Sequence, residues 1–120
     1  MSNLLLTVMF TDEDQEISDR HATSLMRELR QLDEVEDISR VKDPNPPEGN
    51  MSAFAFLTGM LTAEVTVENG KRLLGFLGDR LSNKSIKLKV EGNGKVLEVE
   101  ASSKEELQFA IAEAQKFIES

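Results

Sequence analysis

Residues 4–10, LLLTVMF, are an unbroken apolar run of strand length, and a polar, acidic stretch follows at Thr11 without a spacer. Such a run fits a strand buried on both faces. Thr11 with Asp14 three residues on makes a capping-box pattern, and acids clustered at residues 12–16 suit a helix N-terminus. Ile17, His21, Leu25, Leu29 and Leu32 then fall on one stripe at helical spacing, which predicts a helix over 12–32. A strand leading straight into an amphipathic helix needs a sheet for that helix to lie on. The next strand candidate is 35–41, β-branched at Val35, Ile38 and Val41. The crossover rule makes these two strands parallel neighbours if they share one sheet directly.

The rest of the chain repeats the two periods. Residues 43–50 (DPNPPEGN) hold three prolines within four positions, which forbids a helix or a central strand and predicts a loop. Residues 53–57 fit either a short buried helix or a strand. Residues 61–69 (LTAEVTVEN) alternate like a strand and end at Asn69-Gly70, a turn signal. Leu73, Leu74, Leu77 and Leu81 mark a second helix. Residues 86–90 (IKLKV) and 96–100 (VLEVE) alternate as strands, with Asn93-Gly94 between them suited to a tight hairpin. Ser103 with Glu106 forms another capping box, and Leu107, Ala110, Ile111, Ala114 and Ile118 stripe a last helix. One sheet with helices packed on it is the economical solution, and 120 residues suffice for a single core.

Composition removes many chemistries. There is no Cys, so disulfides, thiol catalysis and Cys-ligated zinc are absent. One His, His21, leaves a single imidazole for any metal site or catalytic triad, and it lies on the apolar stripe of the first helix. Trp and Tyr are missing, so aromatic stacking platforms for bases are scarce. The net charge of −8 argues against a sequence-independent nucleic-acid binder. No signal-peptide pattern opens the chain, and the longest charge-free window, 49–63, is shorter than a membrane span. The expectation is a soluble, cytoplasmic domain without stable membrane insertion.

Motif by motif, the residues favour structural readings. An EF-hand starting at Asp12 would need Gly and Glu where Ile17 and Thr23 stand. Gly70-Lys71-Arg72 lacks the upstream glycine of a phosphate-binding loop. Gly75 and Gly78 fall inside the leucine-striped helix, where they would permit close packing. The many carboxylates offer pairs, but no spacing singles one out, so no catalytic, cofactor or metal residue is assigned.

Charge distribution says more. Residues 12–37 carry net −7, and residues 71–95 carry net +5. Either the two neutralise each other within the fold, or the basic part docks a partner or a second copy. Its candidate contacts are Lys71, Arg72, Arg80, Lys87 and Lys89. Phe76 and Phe109 fall off their helices' apolar stripes and join them as candidate contacts, or pack locally. The uncharged 53–61 segment is core, an interaction surface, or a helix lying on a membrane.

The stretch 61–81, LTAEVTVENGKRLLGFLGDRL, followed by IKLKV and the Asn93-Gly94 hairpin, resembles the bacterial effector-associated constant component family. The order of elements matches over nearly the whole chain. In that family the middle reads as two successive helices, so the resemblance moves 63–68 from strand toward helix or linker. The expectation is therefore an α+β fold over residues 1–120. It has a single sheet of about four strands, element order β-α-β-(α)α-β-β-α, in a ferredoxin-like-type sandwich.

The resemblance implies an accessory domain of bacterial conflict or signalling systems. Such domains are encoded beside or fused to effectors, of protease or switch-NTPase type, and a stand-alone chain would act in trans. On this reading the chain is a non-enzymatic adaptor, its partner an effector protein or a further copy of itself. The alternative is a small-molecule-sensing regulatory domain that dimerises around its ligand.

Overall fold

The computed structural model describes residues 3–42, 56–92 and 94–119. Eight elements follow in order: β1 (Asn3–Phe10), α1 (Gln15–Arg30), β2 (Val35–Lys42), β3 (Phe56–Thr66), α2 (Val67–Arg80), β4 (Ile86–Gly92), β5 (Lys95–Ala101) and α3 (Lys104–Glu119). The five strands form one antiparallel-paired sheet in the order β2-β3-β1-β4-β5. The first six elements run β-α-β-β-α-β, their strands β2-β3-β1-β4 standing in the ferredoxin-like order, and β5 and α3 extend it. The α+β sandwich expected from the sequence is present.

Strand alternation explains why the helices gather on one face. Leu4, Leu6, Val8 and Phe10 of β1 are all at most 3% exposed. They lie level with Val65, Ala63 and Leu61 of β3 and with Val90, Leu88 and Ile86 of β4. This row meets Ala22, Leu25 and Leu29 of α1, Leu73, Leu74 and Leu77 of α2, and Leu107, Ile111 and Ala114 of α3 in one core. Each leucine, isoleucine, valine or phenylalanine among them is worth about 1.5–3 kcal/mol when fully buried. The intervening residues of every strand point to the opposite face.

The largest departure from expectation is β3. The alternation of residues 61–66 is that of a strand, and it runs back to Phe56; the shift toward helix or linker is overturned for 63–66 and holds for 67 and 68, the first residues of α2. Val65, Ala63 and Leu61 are needed between β1 and β2 to cover the core, which a helix at this position would leave uncovered. The middle of the chain is thus a strand and then a helix, and the sheet has five strands rather than about four. Asn69-Gly70 is no turn. Thr66 caps α2 by accepting from the Asn69 amide at 3.2 Å, so Asn69 and Gly70 are in the first helical turn.

β1 and β2 run parallel, as the crossover rule requires, but β3 separates them, so they are not neighbours. α1 starts at Gln15 rather than residue 12, because Asp14 is the N-cap and its carboxylate accepts from the Glu16 amide at 2.9 Å. Thr11 instead continues the sheet, its amide donating to the Ser85 carbonyl at 3.0 Å. The hairpin glycine is confirmed: Gly94 has φ +75°. The proline-rich segment 43–50 and residues 53–55 lie outside the described residues.

Candidate interaction surface

All three helices lie on one side of the sheet, so its other face is bare among the described residues. Strand register fixes what that face displays. One row across the strands reads Asp37, Glu64, Leu5, Glu91 and Val96; the next reads Ser39, Thr62, Thr7, Lys89 and Glu98. At the far end Met60, Met9, Lys87 and Glu100 lie level, with Val41 beside Met60. A trough of about 630 Å³ lies along part of this face, lined among others by Leu5, Thr7, Met9, Met60, Lys89 and Glu98. Leu5 is 38% and Val96 56% exposed, so apolar surface is open to water here. Thr7 and Thr62 share a hydroxyl–hydroxyl contact of 3.4 Å at its centre.

Lysines of β4 on this face each have a carboxylate partner, while Asp37 and Glu64 of β2 and β3 stand opposite each other with like charge. Lys87 pairs with Glu100 at 3.4 Å, and Lys89 with Glu91 at 3.6 Å. Asn3 donates to both Glu36 and Glu64 at 2.7 Å, drawing those carboxylates to one side-chain amide. The register places five acids (Asp37, Glu64, Glu91, Glu98 and Glu100) on the face against Lys87 and Lys89. The bare face is therefore net acidic, although β4 itself belongs to the basic part of the sequence.

The helical side holds the other candidate contacts. Phe76 is half-buried against the core, and the Arg80 guanidinium sits over its ring at 5.3 Å from the centroid. Arg80 also meets Glu28 of α1 at 3.5 Å, and Lys71 pairs with Glu119 at the end of α3. Arg72 is exposed on α2. Phe109 is 69% exposed on α3, which fits its displacement from the apolar stripe. The sequence-derived candidates thus divide between two surfaces. Lys87 and Lys89 lie on the bare sheet, while Lys71, Arg72, Phe76, Arg80 and Phe109 lie among the helices.

Four of the five candidate cations have a carboxylate partner within the chain. Of these four pairs only Arg80–Glu28 joins the basic part of the sequence to the acidic one; the others use Glu119, Glu100 and Glu91. Exposed pairs of this kind contribute about 0–1 kcal/mol each, so they set surface potential more than stability.

The remaining charged residues singled out by sequence serve the fold. Asp12 and Asp14 accept backbone N–H groups ahead of α1. Asp19 of α1 pairs with Arg40 of β2 and accepts the Gly59 amide of β3 at 3.1 Å, while Arg40 Nε donates to the Met60 carbonyl at 3.1 Å. That cluster fastens α1 to the β2–β3 edge, and no local motif announces it because its members are far apart in sequence. His21 is half-buried with its ring tilted against Phe10, centroids 5.5 Å apart. Glu106 is held below the ordinary carboxyl range by the Ser102 amide at 2.8 Å and then the Ser102 hydroxyl at 2.9 Å. That shift belongs to the N-terminal cap of α3.

Sequence reasoning missed the bare face itself. Its signal was present in the intervening residues of 4–10 and 61–66, but one strand was read as buried on both sides and the other moved toward helix. No significant match links the chain to a curated protein or to a solved structure. A family model, Effector Associated Constant Component 1, matches residues 12–115, which is most of the chain. That match spans α1 through most of α3 and takes in four of the five strands, β1 lying ahead of it, and the chain belongs to the Effector Associated Constant Component 1 family.

Proposed function

We propose that the chain is a non-enzymatic adaptor that docks an effector protein on the uncovered face of its sheet. The family is one of accessory domains associated with effectors. The observation that carries the docking reading is the bare face: five strands wide, with Leu5 and Val96 exposed and Met9 and Met60 half-exposed toward one end. Methionines adapt to varied partner surfaces, and a rim of charges fixes orientation. The acid excess favours a partner with a cationic patch. The effector would be of protease or switch-NTPase type, met in the cytoplasm.

The test is co-expression with the effector encoded beside this chain, followed by co-purification and size-exclusion chromatography. The double substitution Met9→Lys with Met60→Lys places two charges on the face without touching the core side. It should abolish the complex while the circular-dichroism spectrum is retained. Phe109→Ser, on the helical side, should leave the complex intact. If Phe109→Ser abolishes the complex and the methionine variant does not, docking belongs to the helices and this reading fails.

A further inference from the structure

We infer that the outer edge of β5 is a strand-addition site for an extended, basic segment of a protein partner. The two edges of the sheet differ. β2 pairs with β3 through two register shifts, between Val35 and Asp37 and between Arg40 and Lys42. Shifts of that kind bend an edge and spoil it as a template. β5 is regular: Lys95 through Ala101 pair without interruption with Gly92 through Ile86, and no proline interrupts it. Among the described residues no strand occupies its outer side. A regular, unblocked edge presents a row of backbone donors and acceptors to another chain.

The side chains on β5 specify what that chain would carry. Val96, Glu98 and Glu100 alternate on the bare face, and all three are exposed. Glu100 meets Lys87 only at 3.4 Å with its side chain 73% exposed, and Glu98 forms no ion pair among the described residues. A strand laid antiparallel along this edge would place an aliphatic residue against Val96 and cations against Glu98 and Glu100. Read from its N-terminus, its pattern is basic, any residue, basic, any residue, aliphatic. A second copy fits poorly where the strands overlap in full or slide toward their C-terminal ends. Pairing β5 in full with its own copy sets Glu98 against Glu98, and a two-residue shift toward the C-terminal end sets Glu98 against Glu100. Like charges directly opposite are destabilising.

The inference rests on the adaptor reading only for where the basic segment comes from. The edge can be tested alone with a capped peptide, Thr-Lys-Thr-Lys-Thr-Val-Thr, titrated into the isotope-labelled full chain. Amide shifts and added exchange protection should concentrate on β5. Two versions N-methylated at alternate nitrogens, one in each phase, should bind unequally, because only one phase faces β5. Glu98→Gln with Glu100→Gln keeps the exposed shape and should weaken the peptide about 2- to 30-fold. Equal binding of the two methylated peptides, shifts confined to the helices, or an unchanged affinity in the Gln variant would each overturn the proposal. A peptide that fails while the effector still co-purifies would remove the edge site and leave the adaptor reading standing. A peptide that binds when no effector does would have the opposite consequence.

Discussion

Glycines in this chain separate by what their missing side chains would meet. Gly75 is exposed in the middle of α2, and a Cβ there would find nothing within 4 Å. Its helical position therefore carries an entropic cost with no packing return, whereas a Cβ added at Gly78, three residues on, would lie 3.4 Å from Ile111 of α3. Gly59 differs from both. Its φ is +70°, and a Cβ would come within 2.9 Å of Ser18 Cβ, beside the amide that Asp19 accepts. Gly75→Ala should raise stability by about 0.5–1 kcal/mol, visible as a melting temperature higher by about 2–5 °C. Gly59→Ala should lower it. A thermal scan in which the two substitutions move the midpoint the same way would contradict this division.

The elements show which local signals govern. The hairpin, the β4 and β5 alternation and the α3 stripe are legible because each encodes a period or a turn within a few residues. The start of α1 is not, since Thr11 and Asp14 both satisfy the capping pattern and only the reach of β1 decides between them. β3 is the instructive case: its 2-residue alternation at 61–66 is a direct physical signal, and the resemblance drew the reading away from it. The intervening residues of 4–10 and 61–66 carry the signal of a second face, but whether helices cover that face depends on where all three of them go. At α3 the capping box exists with a shifted partner. The Glu106 amide donates to Ser103 Oγ at 3.1 Å, and the Glu106 carboxylate reaches back to Ser102 rather than Ser103. These bonds hold the Glu106 pKa below its ordinary value, first through the Ser102 amide. A depressed carboxyl pKa contributes stability above the unfolded-state value and loses it as pH falls through the folded-state value. Glu106→Gln keeps an acceptor but not the charge, so wild type should exceed it in stability near neutral pH. The gap should close below about pH 4, and paired urea melts at the two pH values would show whether it does.

For the whole molecule, the arrangement of charge bears on whether copies associate. The net charge is −8, and among the described residues the bare face holds five acids against two lysines, so stacking two such faces brings acid excess against acid excess. At the edges, β2 is interrupted by register shifts and β5 opposes its own glutamates in full-length pairing. Surfaces of this kind suppress self-association while remaining open to a cationic partner. The chain should therefore sediment as a 13.4 kDa monomer at neutral pH, even at the concentrations NMR requires. The same Glu98→Gln, Glu100→Gln double variant that weakens the basic peptide should shift this balance the other way, because it removes the like-charge opposition without blocking the β5 backbone. Sedimentation velocity on the two proteins decides the point. A rise in sedimentation coefficient with concentration in the variant alone means that the glutamates guard the edge. A wild-type dimer at neutral pH would mean that they do not, and the argument for a foreign strand over a second copy would go with it.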